Sequence, residues 1–89
     1  MEELPHRIAG LVIDWLRVDA ASPLADRTLA EAEVRTRTGA SVMAIVRGEL
    51  EVPAPGGDDR LLRGDTVVVV GTPESVATLT ELVEGPGPG

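Results

Sequence analysis

The sequence predicts a small α+β domain, a mostly antiparallel sheet with two helical segments in the order β-α-β-β-β-α. Three observations predict it. The runs "LVIDWLRV", "SVMAIV" and "TVVVVG" are apolar, largely β-branched and of strand length. Two other segments carry helix-start chemistry, one at Thr28 and one at Thr72-Pro73. Between the runs lie glycines and prolines, which interrupt both kinds of regular structure. The 89 residues suit one domain, read as a polar lead-in over 1–10, a folded unit over 11–84 and a disordered "GPGPG" tail over 85–89.

The elements follow in order. Residues 11 to 18 form the first strand, although Asp14 and Arg17 interrupt its apolar pattern. "DAASPL" is a turn-like connector around Pro23. Thr28 and Glu31 have capping-box spacing: the hydroxyl accepts from the third backbone N–H and the carboxylate reaches back to the cap. Leu29, Ala32 and Val34 give that helix a thin apolar face, and "EVRTRT" is poor helix, so a break after Ala32 is expected. Gly39 is suited to stopping the segment, since a left-handed residue there meets no Cβ penalty. "SVMAIV", 41 to 46, reads as the central strand, and "RGE" turns it into a partner strand starting "LEV" at 50. "PAPGGDDR", 53 to 60, cannot continue a sheet, because two prolines lack donors. "TVVVVG" is the most strand-like segment. In the last helix Thr72 caps, Pro73 takes the first position and Val76, Leu79, Leu82 and Val83 line one face. The residues expected in the core are Leu29, Val42, Ala44, Val46, Val67, Val69, Leu79 and Leu82.

Composition narrows the function. The net charge of −7 disfavours DNA or RNA, whose binding requires many phosphates to be neutralised. A ligand with one or two phosphates needs only a few donors, and all eight basic residues are arginines, which fork onto phosphate oxygens. Trp15 is the sole aromatic residue, so a stacking platform for bases is unsupported. There is no cysteine for a disulfide or a thiolate metal site. No stretch approaches a bilayer span, and the start lacks signal-peptide character, so a cytoplasmic location without membrane insertion is expected.

Catalytic chemistry is poorly represented. His6 is the single histidine and lies in the lead-in; Ser22, Ser41 and Ser75 have no base near them in sequence. Asp58 and Asp59 with Glu49 or Glu51 lack the spacing of a calcium or magnesium site and read as a solvated loop. We therefore expect no enzyme and no metal. Among the arginines, Arg47 beside Glu49 reads as half of a surface ion pair, and Arg60 and Arg63 as solvated. Arg35, two residues after Glu33 and just before the central strand, is the more suggestive; its spacing alone is also that of a solvated face.

Residues 11 to 83 resemble the TrkA-C family, the C-terminal domain of regulators of potassium conductance. The resemblance rests on Val34-Arg35 leading to Gly39, on "MAIVR" at 43 to 47, on the proline-containing loop, and on Gly64-Asp65 before "TVVVVG". It implies a regulatory module of a potassium channel or cation/proton antiporter, paired as a homodimer. It also implies cyclic di-AMP as ligand, held in a cleft on the two-fold axis. Carried over position by position, the family's pocket falls on Leu29, Glu33, Arg35, Ser41, Val42 and Pro55. In those roles Arg35 would fork onto a phosphate, Glu33 would accept from an adenine amino group, and Leu29, Val42 and Pro55 would cover base faces. The pattern departs at Glu33 and Ser41, where a member of the family has Asp and Asn. The Gly-x-Gly-x-x-Gly of the nucleotide-binding half that usually accompanies the domain does not occur. Two other functions stay open: a dimerisation and gating module of the same family answering to pH, to divalent cations or to nothing, and a small enzyme.

Overall fold

The computed structural model describes residues 10–85. Residues 1–9 of the expected lead-in and 86–89 of the expected tail lie outside them. Strand β1 spans Val12–Arg17, helices α1 and α2 span Leu29–Ala32 and Val34–Thr38, and strands β2 and β3 span Ser41–Arg47 and Leu50–Pro53. Strand β4 spans Thr66–Gly71 and helix α3 Pro73–Glu84. The strands form one antiparallel sheet in the order β1-β4-β2-β3, so the valine-rich β4 is central and pairs on both sides. The fold class and element order are those the sequence predicts.

Local chemistry places the helices. Thr28 accepts from the Glu31 amide at 3.1 Å while Glu31 accepts from the Thr28 amide at 2.9 Å, which completes the capping box. The expected break falls at Glu33, which takes the left-handed conformation (φ 53°) and ends α1 while opening α2. Gly39, at φ 82°, stops α2 and turns the chain into β2. Thr72 caps α3 and Pro73 starts it.

The helices cover one face of the sheet. Leu16, Ile45, Val67 and Val69 point into that face and pack with Val76, Leu79 and Val83 of α3 and Ala32 and Val34 of the first helices. Leu24 and Leu61, from the connecting segments, complete the core and are almost fully buried. Five of the expected core residues differ from expectation on the sheet or beside it. Ala44 and Val46 are only partly buried, because they point to the opposite face, which no element among the described residues covers. Leu29 and Val42 are partly buried because they border an open cavity, and Leu82 because it sits at the rim of α3.

A second correction concerns Arg47. Its partner is Asp65, not Glu49: the guanidinium donates twice to the carboxylate, from Nε and Nη2 at 2.8 Å each. Asp65 is 1% exposed and also accepts from the Leu62 amide at 2.8 Å. The Gly64-Asp65 turn is thereby clamped to the end of β2. Arg60 is exposed as expected, yet its guanidinium donates to the Asp26 carbonyl.

Candidate functional site

Three segments converge at the N-terminal end of β2. The first is the α1–α2 break. Leu29 opens α1, and the left-handed Glu33 swings the chain so that Val34 turns inward and is buried while Glu33 and Arg35 stay at the surface. The second is the start of β2. Gly39 reverses the chain, the Thr38 hydroxyl accepts from the Ala40 amide at 3.0 Å, and Ser41 and Val42 enter the sheet. The ladder with β4 then shifts register between Val42 and Ala44, leaving Met43 as the extra residue of a bulge. That extra residue lets Val42 pack against the core although Ile45, three positions on, does so too.

The third segment is the loop after β3. Its carbonyls satisfy the first amides of α1, which no helical turn precedes: Leu29 donates to the Asp59 carbonyl at 2.9 Å and Ala30 to the Gly57 carbonyl at 3.0 Å. The loop is closed on itself by the Gly56 amide donating to the Asp59 carboxylate at 2.7 Å. Gly57 lies so near α1 that a Cβ there would stand 3.2 Å from the Ala30 Cβ, tighter than ordinary contact. This close approach carries Pro55 over to Leu29.

Together these segments line a cavity of about 650 Å³. Leu29, Glu33, Arg35, Ser41, Val42 and Pro55 all lie on its wall. The structure thus gathers into one hollow residues that are spread over 27 sequence positions, from 29 to 55. Ala30, Ala54 and the Gly56-Gly57 pair line it as well, and sequence reasoning passed over them. The signal was present in the capping box: a helix start needs acceptors for its free amides, and the adjacent glycine-rich loop can come close enough to supply them.

The chemistry of the wall is simple. Arg35 is its only cation and Glu33 its only anion; Ser41 and Thr36 add hydroxyls and the remainder is apolar. Among the described residues the Arg35 guanidinium enters no salt bridge. Such a wall can place one forked donor on an anionic oxygen, one acceptor on an amine, and apolar surface on flat rings. A larger hollow, about 900 Å³, lies between the first helices and the end of α3. It mixes Arg27 and Arg37 with Glu31, Glu81 and Glu84, so its charges offset one another and favour no single ligand.

Comparison with known proteins gives a consistent result. The chain is 31% identical over 72 residues to the K(+)/H(+) antiporter subunit KhtT of Bacillus subtilis (strain 168), covering 80% of this chain and 44% of that protein. It is 31% identical over 62 residues to potassium channel protein 1 of Methanocaldococcus jannaschii, covering 70% of this chain and 19% of the channel protein. The chain therefore spans less than half the length of either curated relative. Among solved structures it matches the RCK_C domain dimer of S. agalactiae BusR in complex with c-di-AMP, with a TM-score of 0.75 and 22% identity, over 81% of this chain and 95% of that one. The same BusR solved with its busA-promotor DNA matches with a TM-score of 0.78 and 20% identity, over 93% of this chain and 42% of that one. The RCK C domain of the potassium transport protein KtrA in complex with c-di-AMP matches with a TM-score of 0.72 and 21% identity, over 80% and 81%. At these identities the structural matches establish the fold. The TrkA-C domain model matches residues 15–84, from the middle of β1 to the last residue of α3, and the chain belongs to the TrkA-C family.

Proposed function

We propose that this chain is a cyclic di-AMP-sensing regulatory domain for a potassium channel or cation/proton antiporter. The observation that carries the reading is the cavity itself, which brings Arg35, Glu33, Ser41 and the apolar Leu29, Val42 and Pro55 to one wall. One nucleotide lies on the two-fold axis of a homodimer, so each copy supplies the same contacts to one half of a two-fold ligand. Arg35 forks onto a phosphate, Glu33 accepts from an adenine amino group, and the apolar residues cover the base. The relatives that are an antiporter subunit and a potassium channel protein support the transport side of the reading. No helix among the described residues is long and apolar enough to cross a membrane, so the regulated transporter is a separate partner or another part of a longer chain.

Regulation is linkage. A ligand held by both copies stabilises one arrangement of the pair, and that arrangement is passed on to the transporter. The test is calorimetric titration with cyclic di-AMP, with cyclic di-GMP as control. One nucleotide per two chains is expected. Each charge-assisted arginine contact contributes roughly 1.5–3 kcal/mol. Arg35→Ala removes two of them, so affinity falls at least about a hundredfold. Arg63→Ala, outside the cavity, leaves affinity within about twofold of the parent. Equal losses from the two substitutions would make general charge the cause. No heat with the unaltered chain would leave a dimerisation and gating module that answers to another signal.

A further inference from the structure

The loop after β3 forms one wall of the candidate cavity and is anchored at both ends. At one end the Ala54 amide donates to the carbonyl of Met43, the bulge residue of β2, at 2.8 Å. At the other the Asp59 carbonyl accepts from the Leu29 amide at 2.9 Å and Arg60 bridges Thr28. The buried Leu61 then donates to the Arg27 carbonyl at 2.9 Å. Between these anchors the span that reaches the cavity is Pro55-Gly56-Gly57. Proline has no amide to donate, and two successive glycines leave the backbone unusually free. One side chain restrains this span. The Asp59 carboxylate accepts from the Gly56 amide at 2.7 Å, while the Asp59 amide donates to the Gly56 carbonyl at 3.0 Å. Gly56 is thus tied in both directions to the residue that also holds the start of α1. Asp58, the exposed neighbour, takes part in neither bond. Of the acidic pair expected to be merely solvated, Asp59 is half-buried and bonded.

We propose that Asp59 is a positioning residue for the nucleotide: standing behind the cavity wall, it sets Pro55 and Gly56 where they meet the base. The inference rests on the cyclic di-AMP reading above. Two effects of the carboxylate oppose each other. Its charge works against an anionic ligand, but exposed charges are screened over about 8–10 Å. Its hydrogen bond orders the wall before the ligand arrives, so binding is spared that cost. Fixing one backbone residue on binding lowers an equilibrium constant by roughly five- to thirtyfold. The ordering effect is therefore the larger.

The test is calorimetric titration of the full chain with cyclic di-AMP, beside amide hydrogen exchange without nucleotide. Asp59→Ala keeps the backbone turn and should weaken binding by about three- to tenfold per loop, or about ten- to a hundredfold for a nucleotide held by two copies. Asp59→Asn keeps an acceptor oxygen and discards the charge, so it should stay within about threefold of the parent. Asp58→Ala should stay within about twofold. In Asp59→Ala the Gly56 amide should exchange at least about tenfold faster, with the amides of β4 at parental rates. Parental affinity in Asp59→Ala would overturn the proposal. Equal losses in Asp59→Asn and Asp59→Ala would overturn it too, because charge would then be the cause, and so would faster exchange throughout β4, because the fold itself would have loosened. Each of these outcomes leaves the ligand reading standing, whereas absence of binding by the parent chain overturns both. Arg35→Ala separates the two roles: it should weaken binding by at least about a hundredfold and leave Gly56 exchange unchanged.

Discussion

Asp65 is a carboxylate held in a place where water cannot solvate it, and its ionisation reflects two opposed causes. Burial pushes its pKa up, but the Arg47 hydrogen bonds, the Leu62 amide and the Arg47 charge outweigh burial and hold it below the ordinary carboxylate value. The sign follows: a folded-state value below the unfolded one adds stability at neutral pH, and that stability is lost as pH falls from about 4 through the folded value. Thermal melts of the parent chain should show this loss, and melts of Asp65→Asn should show a flatter acid limb. At pH 7 Asp65→Asn should be less stable by about 2 kcal/mol, since it leaves a half-exposed Arg47 with a neutral partner. Glu33 sets a different balance. A non-glycine residue in the left-handed region costs roughly 1–2 kcal/mol, and Glu33 sits there on the wall of the candidate cavity. Glu33→Gly should raise the urea midpoint by an amount equivalent to about 0.5–1 kcal/mol and lower cyclic di-AMP affinity. A fall in both would show that the carboxylate supports the fold.

The elements divide by how local their causes are. The capping box, the break at Glu33, the Gly39 stop and the Thr72-Pro73 start all rest on neighbours within four residues, and all were legible in the sequence. That six residues line the candidate cavity was legible only through family resemblance; nothing in their spacing says that Pro55 and Leu29 share a wall, because the loop and the helix start meet through backbone bonds. The burial of Ala44 and Val46 was misread for a related reason. In "SVMAIV" period-two alternation from Val42 selects Ala44 and Val46, but the bulge at Met43 shifts the alternation by one residue, so Ile45 faces the helices instead. Arg47 was paired by sequence proximity with Glu49, whereas its partner comes from 18 positions away. At this scale one substitution probes both the helix and the site. Thr28→Ala removes the cap that orders α1 and should cost about 1 kcal/mol. Because that helix start is also bonded to the loop, cleavage by a nonspecific protease within 54–60 should accelerate, which mass spectrometry of the digest would locate.

Across the whole molecule, β2 runs from the candidate cavity at Ser41 to the Arg47–Asp65 clamp, with helices above it and the uncovered face below. A ligand that touches two copies at one end of such a strand favours the pair over the separate chains by mass action. Cyclic di-AMP at a hundred times its Kd should therefore stabilise the fold by about 2.7 kcal/mol per pair of chains and make the melting temperature depend on chain concentration more steeply. Differential scanning calorimetry at two concentrations would read both effects. The bulge in this strand has a bearing on how the chain tolerates change in its length. Val42 and Ala44 are opposed by Val69 and Val68, which are consecutive, so Met43 is a residue the ladder does not count. Removing it leaves every cross-strand partner as it stands and takes out only the added twist at the mouth of the cavity. A chain shortened by that one residue should fold with the parent's partners and bind nucleotide less well, whereas loss of Ile45 would put Ala44 opposite Val67 and leave a void where the buried isoleucine packs. The strand thus carries, at Met43, a place where a deletion changes recognition without rewriting the sheet.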